Sequence, residues 1–207
     1  MRSEDEPPTF HDRGHVYGPI RISANPDGSV ARLLVHPATR EAFIRDRIAI
    51  FFIRDPRDII VSSYYSFGFT HALSSVDEIR ESQLAVRGEI QEQSLDEYAI
   101  KQASVQRAHF DRLFELLQIC ERGVLLKYED MIGNFDRFAS QLRTRLSVED
   151  EVMEAIYQRT RPLKTEDPAS HRRSGEVNGF RSKLRASTIE LVNDQLGENL
   201  NRFGYRH

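Results

Sequence analysis

The six residues "IAIFFI" at 48–53, followed at once by "RDPRD", constrain the fold more than any other part of the chain. The run is continuously apolar and rich in β-branched and aromatic side chains, which predicts a strand covered on both faces. It stops where Asp55 can cap a helix, Pro56 suits the first helical position and Asp58 falls in the first turn. The spacing therefore predicts a helix over 56–65. A strand running straight into a helix is the signature of an α/β fold. A second run, "VLLKY" at 124–128, reads as another buried strand.

Local signals organise the rest. Short β-rich runs at 16–23 and 30–35 flank the turn-forming "NPDGS" and form either a hairpin or two separate strands. Residues 76–97 hold seven acidic side chains against Arg80 and Arg87, as expected of a solvent-facing helix and loop. Ser94 and Glu97 make a capping box for a helix with Val105, Phe110, Leu113, Phe114 and Leu117 on its apolar stripe, ended by Gly123. Asn134 caps a helix carrying Phe135, Phe138 and Leu142, and Ser147 caps another through Ile156. Ser187 and Glu190 form a capping box for a last helix that Gly204 terminates. The expected organisation is an N-terminal arm over 1–15 and one α/β domain over 16–207.

Composition narrows the function. The net charge of −3 argues against a general nucleic-acid or membrane-surface binder. The single cysteine, Cys120, excludes an intramolecular disulfide and favours a reducing, cytoplasmic setting. The run at 48–53 is too short to span a bilayer, and the acidic start "MRSEDEPPTF" does not read as a secretory signal. No Cys/His cluster has metal-ligand spacing. Only four lysines (Lys101, Lys127, Lys164, Lys183) stand among 29 basic residues, so a mechanism requiring lysine has few candidates.

Arg54 leaves the first strand within two positions of a helix N-terminus, an arrangement suited to a phosphate. Ser62, eight residues on, falls along the helix face of Asp55 and Asp58 and offers a hydroxyl. Arg54 pairing internally with Asp55 or Asp58 is the alternative reading. A basic segment, "HRRSGEVNGFRSKLR" at 171–185, carries a net charge of +4 in this acidic chain.

"RDPRDIIVSSYY" resembles the 3′-phosphate-binding segment of sulfotransferases that use 3′-phosphoadenosine-5′-phosphosulfate (PAPS), with Arg54 and Ser62 at the matching positions. "VLLKYEDMIGNF" is similar to the family's later strand ending in tyrosine-glutamate-aspartate, where Tyr128 corresponds to the tyrosine near the adenine. "RSGEVNGFRSKL" aligns without gaps on R-K-G-x-x-G-D-W-(K/R)-x-x-(F/L). There Arg173 and Gly175 match the pair that closes on the 3′-phosphate, Phe180 replaces the tryptophan and Arg181 keeps the basic position. "LLVHPA" is similar to the family's K-T-H-x-P segment and makes His36 the catalytic base, with Leu34 and Val35 where lysine and threonine stand; the other reading is a strand-end histidine making one hydrogen bond.

The resemblance implies a P-loop-NTPase-like sulfotransferase fold, a parallel sheet flanked by helices. It implies transfer of a sulfuryl group from PAPS to a hydroxyl or amine, with His36 catalytic and Arg54, Ser62, Tyr128, Arg173 and Gly175 on the nucleotide. It implies no metal. The acceptor, whether small molecule, lipid or carbohydrate, and any homo-oligomer are left open. The family's Y-P-K-S-G-T-T-W loop, which wraps the 5′-phosphosulfate with backbone N–H groups, has no counterpart in this sequence, so the first strand and loop are missing or replaced. Three explanations compete: a shortened chain, a loop supplied by another chain or by residues 10–22, or a degenerate relative that binds nucleotide or nothing. A P-loop kinase-like protein is more distant, because G-x-x-x-x-G-K-[ST] is absent.

Overall fold

The computed structural model describes residues 44–45, 47–160 and 176–205. β1 (Ala49–Ile53) and β2 (Gly123–Lys127) form a two-stranded parallel sheet, and helices make up most of the remainder. Between the strands run α1 (Pro56–Tyr65), a π-helical turn (Ser66–Thr70), α2 (Asp77–Gln91) and α3 (Leu95–Ile119). After β2 come α4 (Tyr128–Gly133), α5 (Phe135–Arg143) and α6 (Asp150–Thr160), then α7 (Phe180–Lys183), α8 (Ala186–Leu196) and α9 (Glu198–Arg202). The architecture is thus broadly α/β. Among the described residues, no helix is long and apolar enough to cross a membrane.

The chain divides into two compact units, Met1–Phe51 with Ala108–Val124, and Phe52–Arg107 with Leu125–His207. In the described part of the first, Ile44, Phe51, Phe110, Leu116 and Cys120 are buried. Gly123 leaves room there, since a Cβ would meet Phe51 Cε2 at 3.1 Å and Cys120 Sγ at 3.3 Å. In the second, the buried set includes Ile53, Ile60, Val61, Leu126, Phe180, Val192, Leu196, Leu200 and Phe203. Every candidate site residue that the structure describes belongs to this second unit.

α1 spans the predicted 56–65. Asp55 Oδ1 accepts the Arg57 N–H at 2.9 Å, Pro56 occupies the first turn, and Asp58 follows it. The strand before it corrects the expectation of two covered faces. Phe51 and Ile53 are buried, whereas Ile50 is 46% and Phe52 51% exposed. One face of β1 therefore packs and the other stays open, with Phe52 meeting Tyr128 and Phe138 edge to face at 6.4 and 6.1 Å.

Caps written locally form where expected. Ser94 and Glu97 exchange hydrogen bonds ahead of α3, and Asn134 Oδ1 accepts from Arg137 N–H at 3.2 Å. Two expected caps are corrected. α6 opens at Asp150 rather than after Ser147, with Met153 N–H bonded to the Glu149 carbonyl. Ser187 lies inside α8, whose preceding residue Arg185 gives its N–H to Asp96 Oδ1 of α3 at 3.0 Å. The expected last helix is also two helices. Gly197, at φ +37°, interrupts it before Gly204, at φ +67°, ends α9.

Candidate functional site

Because β1 and β2 run parallel and side by side, the residues leaving their carboxyl ends are neighbours. Arg54 follows β1 and Tyr128 follows β2. The Arg54 guanidinium lies over the Tyr128 ring, 4.7 Å from its centroid, a cation–π contact. Burial pushes the Tyr128 hydroxyl pKa up, while the Arg54 charge draws it down. Glu129, the next residue, fastens the two strand ends together: its Oε1 accepts the Asp55 N–H at 2.8 Å. Its Oε2 accepts from the Tyr205 hydroxyl at 3.3 Å. Burial, and then the nearby carboxylates led by Glu129, push the Tyr205 pKa up.

A third stretch arrives from far along the chain. Arg54 Nη2 donates to the Glu176 carbonyl at 2.9 Å. Asp58 Oδ2 accepts the Asn178 N–H at 2.8 Å and Asp58 Oδ1 the Phe180 N–H at 3.0 Å. Asn178 takes the left-handed conformation at φ 63°, one of the few side-chain-bearing residue types that adopt it readily. Gly179 follows, with the end of the flexible Glu176 side chain close to it. Lys183 Nζ pairs with that same carboxylate at 3.1 Å.

The internal pairing that competed for Arg54 is divided between two arginines. Asp55 is taken by Arg57, whose Nε and Nη2 meet its two oxygens at 2.9 and 2.7 Å, with both side chains buried. Arg57 Nη1 also donates to Asn193 Oδ1 at 2.9 Å, and its guanidinium lies 4.2 Å from the Phe180 ring centroid. Asp58 is the carboxylate nearer Arg54, at 3.8 Å, and is held mainly by the two main-chain donors. Burial raises its pKa; the Phe180 N–H, Arg54 and the Asn178 N–H pull it back, and Asp55 adds to the rise. Arg54 Nε is buried and has no hydrogen-bond partner among the described residues. This leaves a cation, a quarter exposed, with donor capacity unspent at the strand end.

Of the sequence candidates, Arg54 and Tyr128 are in contact. Ser62 lies on α1 one turn beyond Asp58, half-buried, and its carbonyl accepts the Ser66 N–H. His36, Arg173 and Gly175 lie outside the described residues. Sequence reasoning missed Arg57, Glu129 and Tyr205 as the frame of this site. The signals available were an arginine two residues after a capping aspartate and a carboxylate directly after the strand-end tyrosine. Among the described lysines, Lys127 is engaged elsewhere: its Nζ binds the Phe203 carbonyl and lies 4.6 Å from the Tyr205 ring centroid.

The arrangement can grip an anion with a guanidinium beside a helix N-terminus, and offers an aromatic ring next to it. Among the described residues, no group of three or more His, Cys, Asp or Glu side chains could hold a metal ion. Comparison with known protein families, and with curated proteins, finds no match for this chain.

Proposed function

We propose that the chain binds the adenosine 3′,5′-bisphosphate part of PAPS and transfers the sulfuryl group to a hydroxyl or amine of an acceptor. The observation that carries this reading is the meeting, at one guanidinium, of three stretches that resemble the same enzyme family in sequence. Arg54 follows the first strand, Tyr128 follows the second, and the turn at 176–180 reaches Arg54 through the Glu176 carbonyl. The P-loop-NTPase-like sulfotransferase fold and a cytoplasmic location belong to the same proposal.

In this reading Arg54 and Ser62, with Arg173 and Gly175, hold the 3′-phosphate, and Tyr128 packs near the adenine. His36 takes the proton from the acceptor as its oxygen or nitrogen bonds to sulfur. The bond from sulfur to the phosphate oxygen breaks, and adenosine 3′,5′-bisphosphate leaves with the electron pair. Such a displacement depends on positioning and charge neutralisation. A second reading is a nucleotide-binding module without catalysis, which needs only the described part of the site, Arg54 over Tyr128 at the strand ends.

Calorimetry with adenosine 3′,5′-bisphosphate tests both. Binding is expected in either case, and Arg54→Ala should weaken it by about 2 kcal/mol, the loss of a charge-assisted contact. Unchanged affinity in that variant removes Arg54 from the site. Labelled sulfuryl transfer from PAPS, abolished in His36→Ala, separates the enzyme from the binding module.

A further inference from the structure

We propose that Asp58 is a positioning residue: by holding the Asn178 and Phe180 N–H groups on one carboxylate, it fixes the turn whose Glu176 carbonyl orients Arg54 over Tyr128. The inference rests on the nucleotide reading above and assigns the part of the site that aims the phosphate-binding cation.

A carboxylate exposed to only 2% is costly to bury unless it is hydrogen-bonded. Two duties open to an aspartate at this place are already met by Asp55, which caps α1 and forms the bidentate pair with Arg57. Asp58 spends both oxygens instead on main-chain donors 120 and 122 residues away. It is only a distant partner for Arg54, at 3.8 Å, whereas the Glu176 carbonyl takes Arg54 Nη2 at 2.9 Å. The chain of contacts therefore runs from Asp58 through the turn to Glu176, and from there to the guanidinium.

The end of the turn is anchored by the Phe180 ring, which is fully buried beneath Arg57. Loss of the Asp58 oxygens would release 176–178 while Phe180 stays anchored. Arg54 would then lose its carbonyl partner and with it a defined direction.

The test uses Asp58→Asn, which keeps the shape but can accept at only one atom. Hydrogen exchange should quicken at the Asn178 or Phe180 amide, with far-ultraviolet dichroism unchanged. Affinity for adenosine 3′,5′-bisphosphate should fall about tenfold, the size of one lost hydrogen bond to a charged group, while affinity for adenosine 5′-monophosphate stays constant. In an Arg54→Ala background the same substitution should cost nothing more, because the two residues act through one interaction. Unaltered exchange at both amides, equal losses for both nucleotides, or fully additive losses with Arg54→Ala would each overturn the proposal. If wild type ignores adenosine 3′,5′-bisphosphate, the functional reading fails, and the exchange result still decides the role of Asp58 in the turn. Should Asp58→Asn not fold, carboxyl-carbon and amide-proton shifts in wild type decide: Asp58, Asn178 and Phe180 should titrate together. Independent titration would refute the contact.

Discussion

Arg54 and Arg57 stand three residues apart and do opposite things. Arg57 is 1% exposed, forks both oxygens of Asp55, donates to Asn193 and stacks on Phe180. A planar guanidinium can do all of this at once, and an ammonium cannot. Arg57→Ala strands a buried carboxylate, so unfolding in urea should show a loss of roughly 3–5 kcal/mol. Arg54 has spent less of its bonding capacity, which is why its removal should act on ligand affinity. Asp58 supplies a pH signature. Burial holds its pKa above the ordinary 3.8, so between those values the folded chain binds the proton that the unfolded chain has lost. Its stabilising contribution is full below the ordinary value and fades as pH rises through the folded one. Asp96 works in the other direction. Burial opposes its charge, yet the Thr188 hydroxyl, the Arg185 N–H and the Arg185 charge hold its pKa below 3.8, so its contribution fades as pH falls through the folded value. Denaturation across the acid range should therefore show stability rising more steeply with pH in Asp58→Asn than in wild type. Identical slopes would mean that Asp58 does not titrate as its surroundings require.

At the scale of elements, what was legible in the sequence was what is encoded within a few residues. α1 could be read because Asp55, Pro56 and Asp58 form its start from adjacent positions. The helix starts at Ser94 and Asn134 were legible for the same reason. α8 was misread because a carboxylate from another helix, Asp96, receives the N–H just before it, leaving Ser187 inside the helix. The π-helical turn gave no local sign either; its geometry depends on α2. Ile90 packs into the space left by Gly68, Gln91 Nε2 donates to the Gly68 carbonyl at 2.8 Å, and the Arg87 guanidinium binds the Phe67 and His71 carbonyls. A methyl at position 68 would lie 2.9 Å from Ile90 Cγ2, on a stiff β-branched side chain. Gly68→Ala should lower stability by about 1–3 kcal/mol through overpacking, and in a thermal melt the same substitution should cost less in an Ile90→Ala background than in wild type.

For the whole molecule, the strand-end arginine and tyrosine were readable, because residues beyond the carboxyl ends of neighbouring parallel strands must approach one another. The frame around them was not. Tyr205 and Asn193 reach the site from positions whose proximity is set only by tertiary packing. The apolar run at 48–53 misled on burial, since composition registers how apolar a strand is and not how many of its faces find cover. α2 carries a further consequence. Of its residues only Ile90 is buried, while Ile79, Leu84 and Val86 are about half exposed, so little free energy holds it in place. Brief trypsin treatment should nick the described part of the chain at Arg80 well before Arg57, whose peptide bond opens only on global unfolding. Fragments cut there first would show that this helix comes away as a separate cooperative step, while the arginine cluster at the strand end endures.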